Sequence, residues 1–176
     1  MELCLVRHAI AGERDSRRYP DDSLRPLTPA GAEKMKGAAK GLAKLFTPEA
    51  IMSSPLLRAK QTAEILLVAY GLEEIVFSVA LATGDNARLA VEVAALRLSR
   101  VIAVGHEPHL SGTLSEWVSG SPGRMSATFK KGAAALIVFE GPAIAGEGRL
   151  EWLVQPAVLR ALGEKQRNSS TDRGDD

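Results

Sequence analysis

Along this chain, short unbroken apolar runs alternate with segments whose apolar residues recur every three or four positions. Residues 3–6 are apolar and stop abruptly at Arg7-His8, the pattern of a buried strand whose carboxyl end meets solvent. Residues 11–26 are mostly polar and carry Gly12, Pro20, Asp21, Asp22 and Pro26, which reads as a loop. Thr28-Pro29 then supplies an N-cap and a first-turn proline, and Met35, Ala38, Ala39, Leu42 and Phe46 follow at helical spacing. A second strand is predicted over 50–53. Ser54-Pro55 repeats the cap-and-proline signal before Leu56, Ala59, Ala63, Leu66, Leu67 and Tyr70, an amphipathic helix. Residues 75–79 read as a strand and 83–86 as a loop, and Leu89, Val93 and Leu96 share one helical face. The strand at 100–104 is broken by Gly105-His106, and a helix is expected over 108–118. Two late strands, 133–139 and 149–154, flank a Gly-rich turn, and a helix over 156–162 closes the pattern.

Strands that alternate with helices specify an α/β protein, here a three-layer α/β/α sandwich around a mostly parallel central sheet. The two adjacent late strands add an antiparallel edge. A single domain is expected over 1–163. Residues 164–176 contain no apolar side chain to pack and are expected to form a disordered tail.

The composition narrows the function classes. Of 176 residues, 45% are hydrophobic and 24% charged, an ordinary globular mixture. Twenty-two Lys and Arg against 21 Asp and Glu leave a net charge of +1, so no chain-wide attraction to nucleic acid or anionic lipid is expected. Cys4 is the single cysteine, which excludes an internal disulfide framework and an all-cysteine metal site. No run approaches the ~18 apolar residues of a membrane span. The amino terminus does not read as a signal peptide. A soluble, cytoplasmic protein is the expectation.

Several familiar motifs fail on spacing. His106-Glu107-Pro108-His109 lacks a histidine at the fourth following position, where Leu110 stands, so it is not a zinc-protease helix. A cysteine-phosphatase loop built on Cys4 would need arginine where Ile10 stands. His109 reads as a surface or structural histidine. What remains is a group of residues at strand ends, where α/β domains hold their ligands. Arg7 and His8 follow the first strand, Arg58 lies near the start of the second helix, and His106 follows the strand at 100–104 across Gly105. Guanidinium groups match phosphate oxygens in a bidentate fork. A neutral imidazole is a competent nucleophile toward phosphorus, and a second, protonated one could stabilise the transferring group. Such a site needs no metal or cofactor.

The blocks Leu5-Val6-Arg7-His8-Ala9, Ser53-Ser54-Pro55-Leu56-Leu57-Arg58-Ala59 and Val104-Gly105-His106-Glu107-Pro108 resemble, in order and spacing, the signature of the histidine phosphatase superfamily. Arg25-Pro26-Leu27-Thr28-Pro29 and the ending Leu150-Glu151-Trp152 resemble its SixA-like phosphohistidine phosphatase branch. The resemblance implies that His8 is the phosphorylated nucleophile and that Arg7, Arg58 and His106 form the phosphate pocket. Ala9 departs from the glycine common at that place.

The general acid is the gap. Glu73 and Glu74 come too early, and Asp85 is the one weak candidate, with an N-cap as its alternative role. A phosphohistidine carries an imidazole leaving group with a pKa near ~6.5, so it tolerates a missing acid better than an alkyl ester does. The leading expectation is a metal-independent phosphatase acting on a phosphohistidine protein, its pocket left open by a short loop at 11–26. Two alternatives stand beside it: a small-molecule phosphomonoesterase of the same superfamily, and a module that binds phosphate or a phosphoprotein without turnover.

Overall fold

A computed structural model describes residues 1–164 of the chain. Its elements run β1 (Glu2–Arg7), α1 (Pro29–Leu42), β2 (Ala50–Ser53), α2 (Leu57–Tyr70), β3 (Ile75–Phe77), α3 (Ala80–Thr83), α4 (Asn86–Ala95), β4 (Arg100–Gly105), α5 (His109–Ser119), β5 (Ala134–Val138), β6 (Arg149–Val154) and α6 (Pro156–Glu164). The six strands form one sheet in the order β3-β2-β4-β1-β5-β6. The first four of these are mutually parallel, whereas β5 runs antiparallel to β1 and β6 antiparallel to β5. The three-layer, mostly parallel sandwich expected from the alternation of elements is the observed architecture.

Why the strands read as unbroken apolar runs is visible in β1. Successive side chains point to opposite faces, and both faces are covered. Leu3 and Leu5 join Leu81, Leu89, Val93, Leu110 and Trp117 under α3, α4 and α5. Cys4 and Val6 join Met35, Leu42, Ala63, Leu66 and Leu159 under α1, α2 and α6. Full burial of each Leu, Val or Met contributes about 1.5–3 kcal/mol. On the second face α1 and α6 approach backbone to backbone at Gly41, where a Cβ would lie 1.8 Å from the Leu159 carbonyl oxygen.

Local chemistry sets several boundaries. Thr28 caps α1 as expected, its hydroxyl accepting from the Gly31 amide at 2.9 Å. The second cap-and-proline signal behaves differently. Helix α2 begins only at Leu57, with Leu56 as an N-cap that offers no side-chain bond. The Ser54 hydroxyl accepts from the Leu56 amide at 3.3 Å and is otherwise committed to a histidine described below. Strand β3 stops at Phe77, because Val79 already has helical geometry and leads into α3, a turn of helix not expected from the sequence. The 11–26 segment is irregular apart from a 3-10 turn at Asp22–Leu24 and an isolated antiparallel bridge from Ala11 to Leu27. Helix α6 continues to Glu164, the first residue of the expected tail; residues 165–176 lie outside the described residues. Among the described residues no helix is long and apolar enough to cross a membrane.

The connections explain where a ligand can sit. From β1 the chain leaves through α1 on one face of the sheet, and from β4, its neighbour, through α5 on the other. Chains diverging to opposite faces open a crevice at the carboxyl ends of those two strands.

Candidate active site

Three strand ends meet at this crevice in fixed register. Arg7 lies opposite Gly105 across the parallel β1–β4 pair. Beyond it the His8 amide donates to the Gly105 carbonyl at 3.0 Å, and on the other side of β4 the Ser54 amide donates to the Val104 carbonyl at 3.0 Å. His8, Ser54 and His106 therefore leave the sheet at one level. The imidazole centroids of His8 and His106 are 5.0 Å apart, with the rings tilted by 50°. His8, His106 and Arg58 are only 6%, 5% and 7% exposed.

Each ring is oriented by its own partner. Nδ1 of His8 lies 2.7 Å from the Ala9 carbonyl oxygen. A carbonyl can only accept, so Nδ1 carries the proton and Nε2 keeps its lone pair. His106 places Nε2 2.8 Å from Ser54 Oγ, and its Nδ1 is buried without a partner among the described residues. Thr62 ties α2 to the segment behind His8: its hydroxyl accepts from the Ala9 amide at 3.0 Å and donates to the Arg58 carbonyl at 2.7 Å.

The arginines are held as firmly. Arg7 donates to the Phe129 carbonyl at 2.5 Å, and the Phe129 amide donates to Glu107 at 3.3 Å. Arg58 donates to the Asp22 carbonyl at 2.9 Å and lies 3.3 Å from the Asp22 carboxylate, which also pairs with Arg25 at 2.9 Å. The 11–26 loop is thus packed onto Arg58. Buried Nε groups of both Arg7 and Arg58 have no partner among the described residues. This is hydrogen-bonding capacity left for an anion.

Burial, then the surrounding positive charge, lowers both imidazoles. His8 is pushed down to about 4, chiefly by desolvation and further by Arg58, Arg7 and Lys131, against the opposing effect of its bond to Ala9. His106 falls to about 3, again first by desolvation, then by His8, Arg58, His109 and Arg7. The charged neighbours that act on either ring are all cationic. Both shifts favour neutral rings near pH 7, which suits His8 as a nucleophile. An anion bound among these groups would push both values back up.

Arg7, His8, Arg58 and His106, the four residues singled out from the sequence, converge in space. Asp85 has a different setting: it is exposed and caps α4, accepting from the Arg88 amide at 3.0 Å. His109 lies against Gly84, where a Cβ would stand 2.3 Å from its Nδ1. Sequence reasoning overlooked Ser54, Thr62, Glu107 and Asp22. Three of these stand inside or beside the recurring blocks, but their roles depend on contacts 22 to 53 residues away in the chain.

Residues 3–82 match the family model described as the histidine phosphatase superfamily, branch 1. An uncharacterized protein of Picosynechococcus sp. is 38% identical over 125 residues, covering 66% of this chain and 70% of that protein. The solved structure of the protein histidine phosphatase SixA complexed with tungstate superposes with a TM-score of 0.77 at 25% identity, covering 90% of this chain and 99% of the other. A phosphoserine phosphatase of Entamoeba histolytica shares the fold with a TM-score of 0.66 at 14% identity, over 88% of this chain and 97% of its own.

Proposed function

Because the chain belongs to the histidine phosphatase superfamily and is SixA-like, we propose that it hydrolyses phosphohistidine on a protein, with His8 as the phosphorylated nucleophile. The observation that carries this reading is the 2.7 Å contact between His8 Nδ1 and the Ala9 carbonyl, which leaves Nε2 as the lone-pair nitrogen in a pocket of arginines. In the first step that lone pair forms a bond to phosphorus while the bond from phosphorus to the substrate imidazole breaks. The electron pair goes to the departing ring, which takes up one solvent proton that the attacking water of the second step gives back. In the second step water attacks phosphorus, His8 leaves with its lone pair restored, and orthophosphate is released. Arg7 and Arg58 neutralise charge on the transferring oxygens in both steps, and His106 donates a hydrogen bond from a position held by Ser54.

The imidazole leaving group is central to the choice of substrate. With a pKa near ~6.5 it departs without the full protonation that an alkoxide demands. General acid catalysis is worth about 10²–10⁴-fold, and a phosphomonoesterase would need to recruit it. Asp85, the one candidate for that role, is exposed and engaged through Oδ1 as the cap of α4.

A single-turnover reaction with a phosphohistidine-bearing protein, run with chelator, tests the proposal. Wild type should release phosphate and trap acid-labile label on His8, and His8→Ala should do neither. Turnover of p-nitrophenyl phosphate alone would overturn the substrate assignment. Retained binding of the phosphoprotein with no labelled enzyme would favour a binding module instead.

A further inference from the structure

A groove of about 620 Å³ runs outward from the site between α1, the 130–132 segment and the start of α6. Arg7 and Ala9, the residues on either side of His8, stand in its wall, so it adjoins the phosphate pocket. Ala9, Met35 and Ala38 give it an apolar floor, and Lys34, Lys130, Lys131 and Arg160 surround it. Among the described residues no carboxylate lines it. None of these cations forms an ion pair among the described residues, although eight such pairs occur elsewhere. In a chain whose net charge is only +1, five cations around one groove are a local concentration rather than a reflection of composition. Its field reaches the centre of the site, since Lys131 is among the charges that lower His8.

We propose that this groove receives an acidic segment of the protein substrate, one with Asp or Glu beside the phosphohistidine. The inference rests on the phosphohistidine reading and specifies what surrounds the phosphorylated residue. The character of the cations decides between an acidic protein surface and a compact second phosphate. Lys34, Lys130 and Lys131 are exposed, long side chains spread over two segments. A second phosphate would call for buried, converging donors beyond Arg7, as a small anion must replace its hydration at one point. Dispersed lysines instead complement several carboxylates along a surface and accelerate encounter in a salt-dependent way.

The test uses two phosphohistidine peptides prepared with phosphoramidate, one flanked by Asp and Glu and one by Asn and Gln, with phosphoramidate itself as the minimal substrate. At low salt, kcat/KM for the acidic peptide should exceed that for the neutral one by about tenfold, within the range expected of electrostatic steering. The gap should close in 0.5 M NaCl, where the Debye length falls to about 4 Å, and in Lys34→Glu/Lys130→Glu, both exposed positions. Phosphoramidate turnover should stay within about twofold, which also verifies that the variant is folded. Equal kcat/KM for the two peptides, or a gap that survives the double variant, would overturn the inference while leaving phosphohistidine chemistry intact. Hydrolysis of p-nitrophenyl phosphate with no turnover of phosphoramidate or either peptide would overturn the phosphohistidine reading itself.

Discussion

The amide of His8 donates to the carbonyl of Gly105 at 3.0 Å, so the residues that terminate β1 and β4 are fastened together where their chains part. That bond, with the parallel register behind it, sets the 5.0 Å separation of the His8 and His106 rings. The site is thus built on sheet geometry, and its side chains need only short local bonds to be oriented.

Ser54 is the positioning residue most open to test. It is fully buried and its hydroxyl lies 2.8 Å from His106 Nε2. Ser54→Ala should reduce kcat/KM by about 10-fold or more and cost about 1–3 kcal/mol of stability, since a buried polar atom loses its partner. Ser54→Thr, which retains a hydroxyl, should recover part of the activity. Equal activity of all three proteins in a phosphoramidate assay would remove the role assigned to Ser54.

The depressed imidazoles make stability depend on pH in a definite direction. In the unfolded chain both histidines take up a proton near pH ~6.5; in the folded protein they do so only at about 4 and about 3. The unfolded state therefore binds more protons between these values, and stability is lost as pH falls from ~6.5 towards 3. For His8 alone the effect is on the order of 3 kcal/mol. Denaturation midpoints measured from pH 7 to pH 4 should fall steeply for wild type and less steeply for His106→Asn.

Arg58 should not be replaceable by lysine. Its guanidinium already bonds the Asp22 carbonyl at 2.9 Å and must offer further donors to phosphate. Both Arg58→Ala and Arg58→Lys should lower kcat by about 10²–10³-fold, the cost of a donor aimed at transition-state charge. A lysine variant with near wild-type kcat in single turnover would contradict this.

Gly41 gives a prediction about the scaffold alone. A methyl group there would meet the Leu159 carbonyl at 1.8 Å, so α1 and α6 would have to separate. Gly41→Ala should destabilise the protein by about 1–3 kcal/mol, lowering Tm by several degrees while leaving activity at low temperature intact. Paired thermal melts and phosphoramidate assays distinguish this from damage to the site.

Much of the molecule was legible from local pattern. The buried runs at 3–6 and 100–104 and the Thr28 cap needed no tertiary information, because strand burial and capping are decided by a few consecutive side chains. The limits of that reading appear at Ser54. Its local signal is a helix cap, yet its oxygen bonds a histidine 52 residues away, and α2 starts later as a result. The 11–26 loop makes the same point: its polar sequence reads as a loop, and only the fold brings Asp22 onto Arg58 across 36 residues.

The sequence by itself determined the layered α/β architecture, which follows from periodicity, and singled out Arg7, His8, Arg58 and His106 by their places at strand ends and a helix start and by their resemblance to a family signature. Only the tertiary structure decided which tautomer His8 adopts, what holds His106 and Arg58, and that cations from α1, α6 and the 130–132 segment gather beside Arg7. The physical reason is that hydrogen bonding, desolvation and Coulomb interactions depend on distances of a few ångströms in space, and chain separation carries no record of them until the sheet register is set.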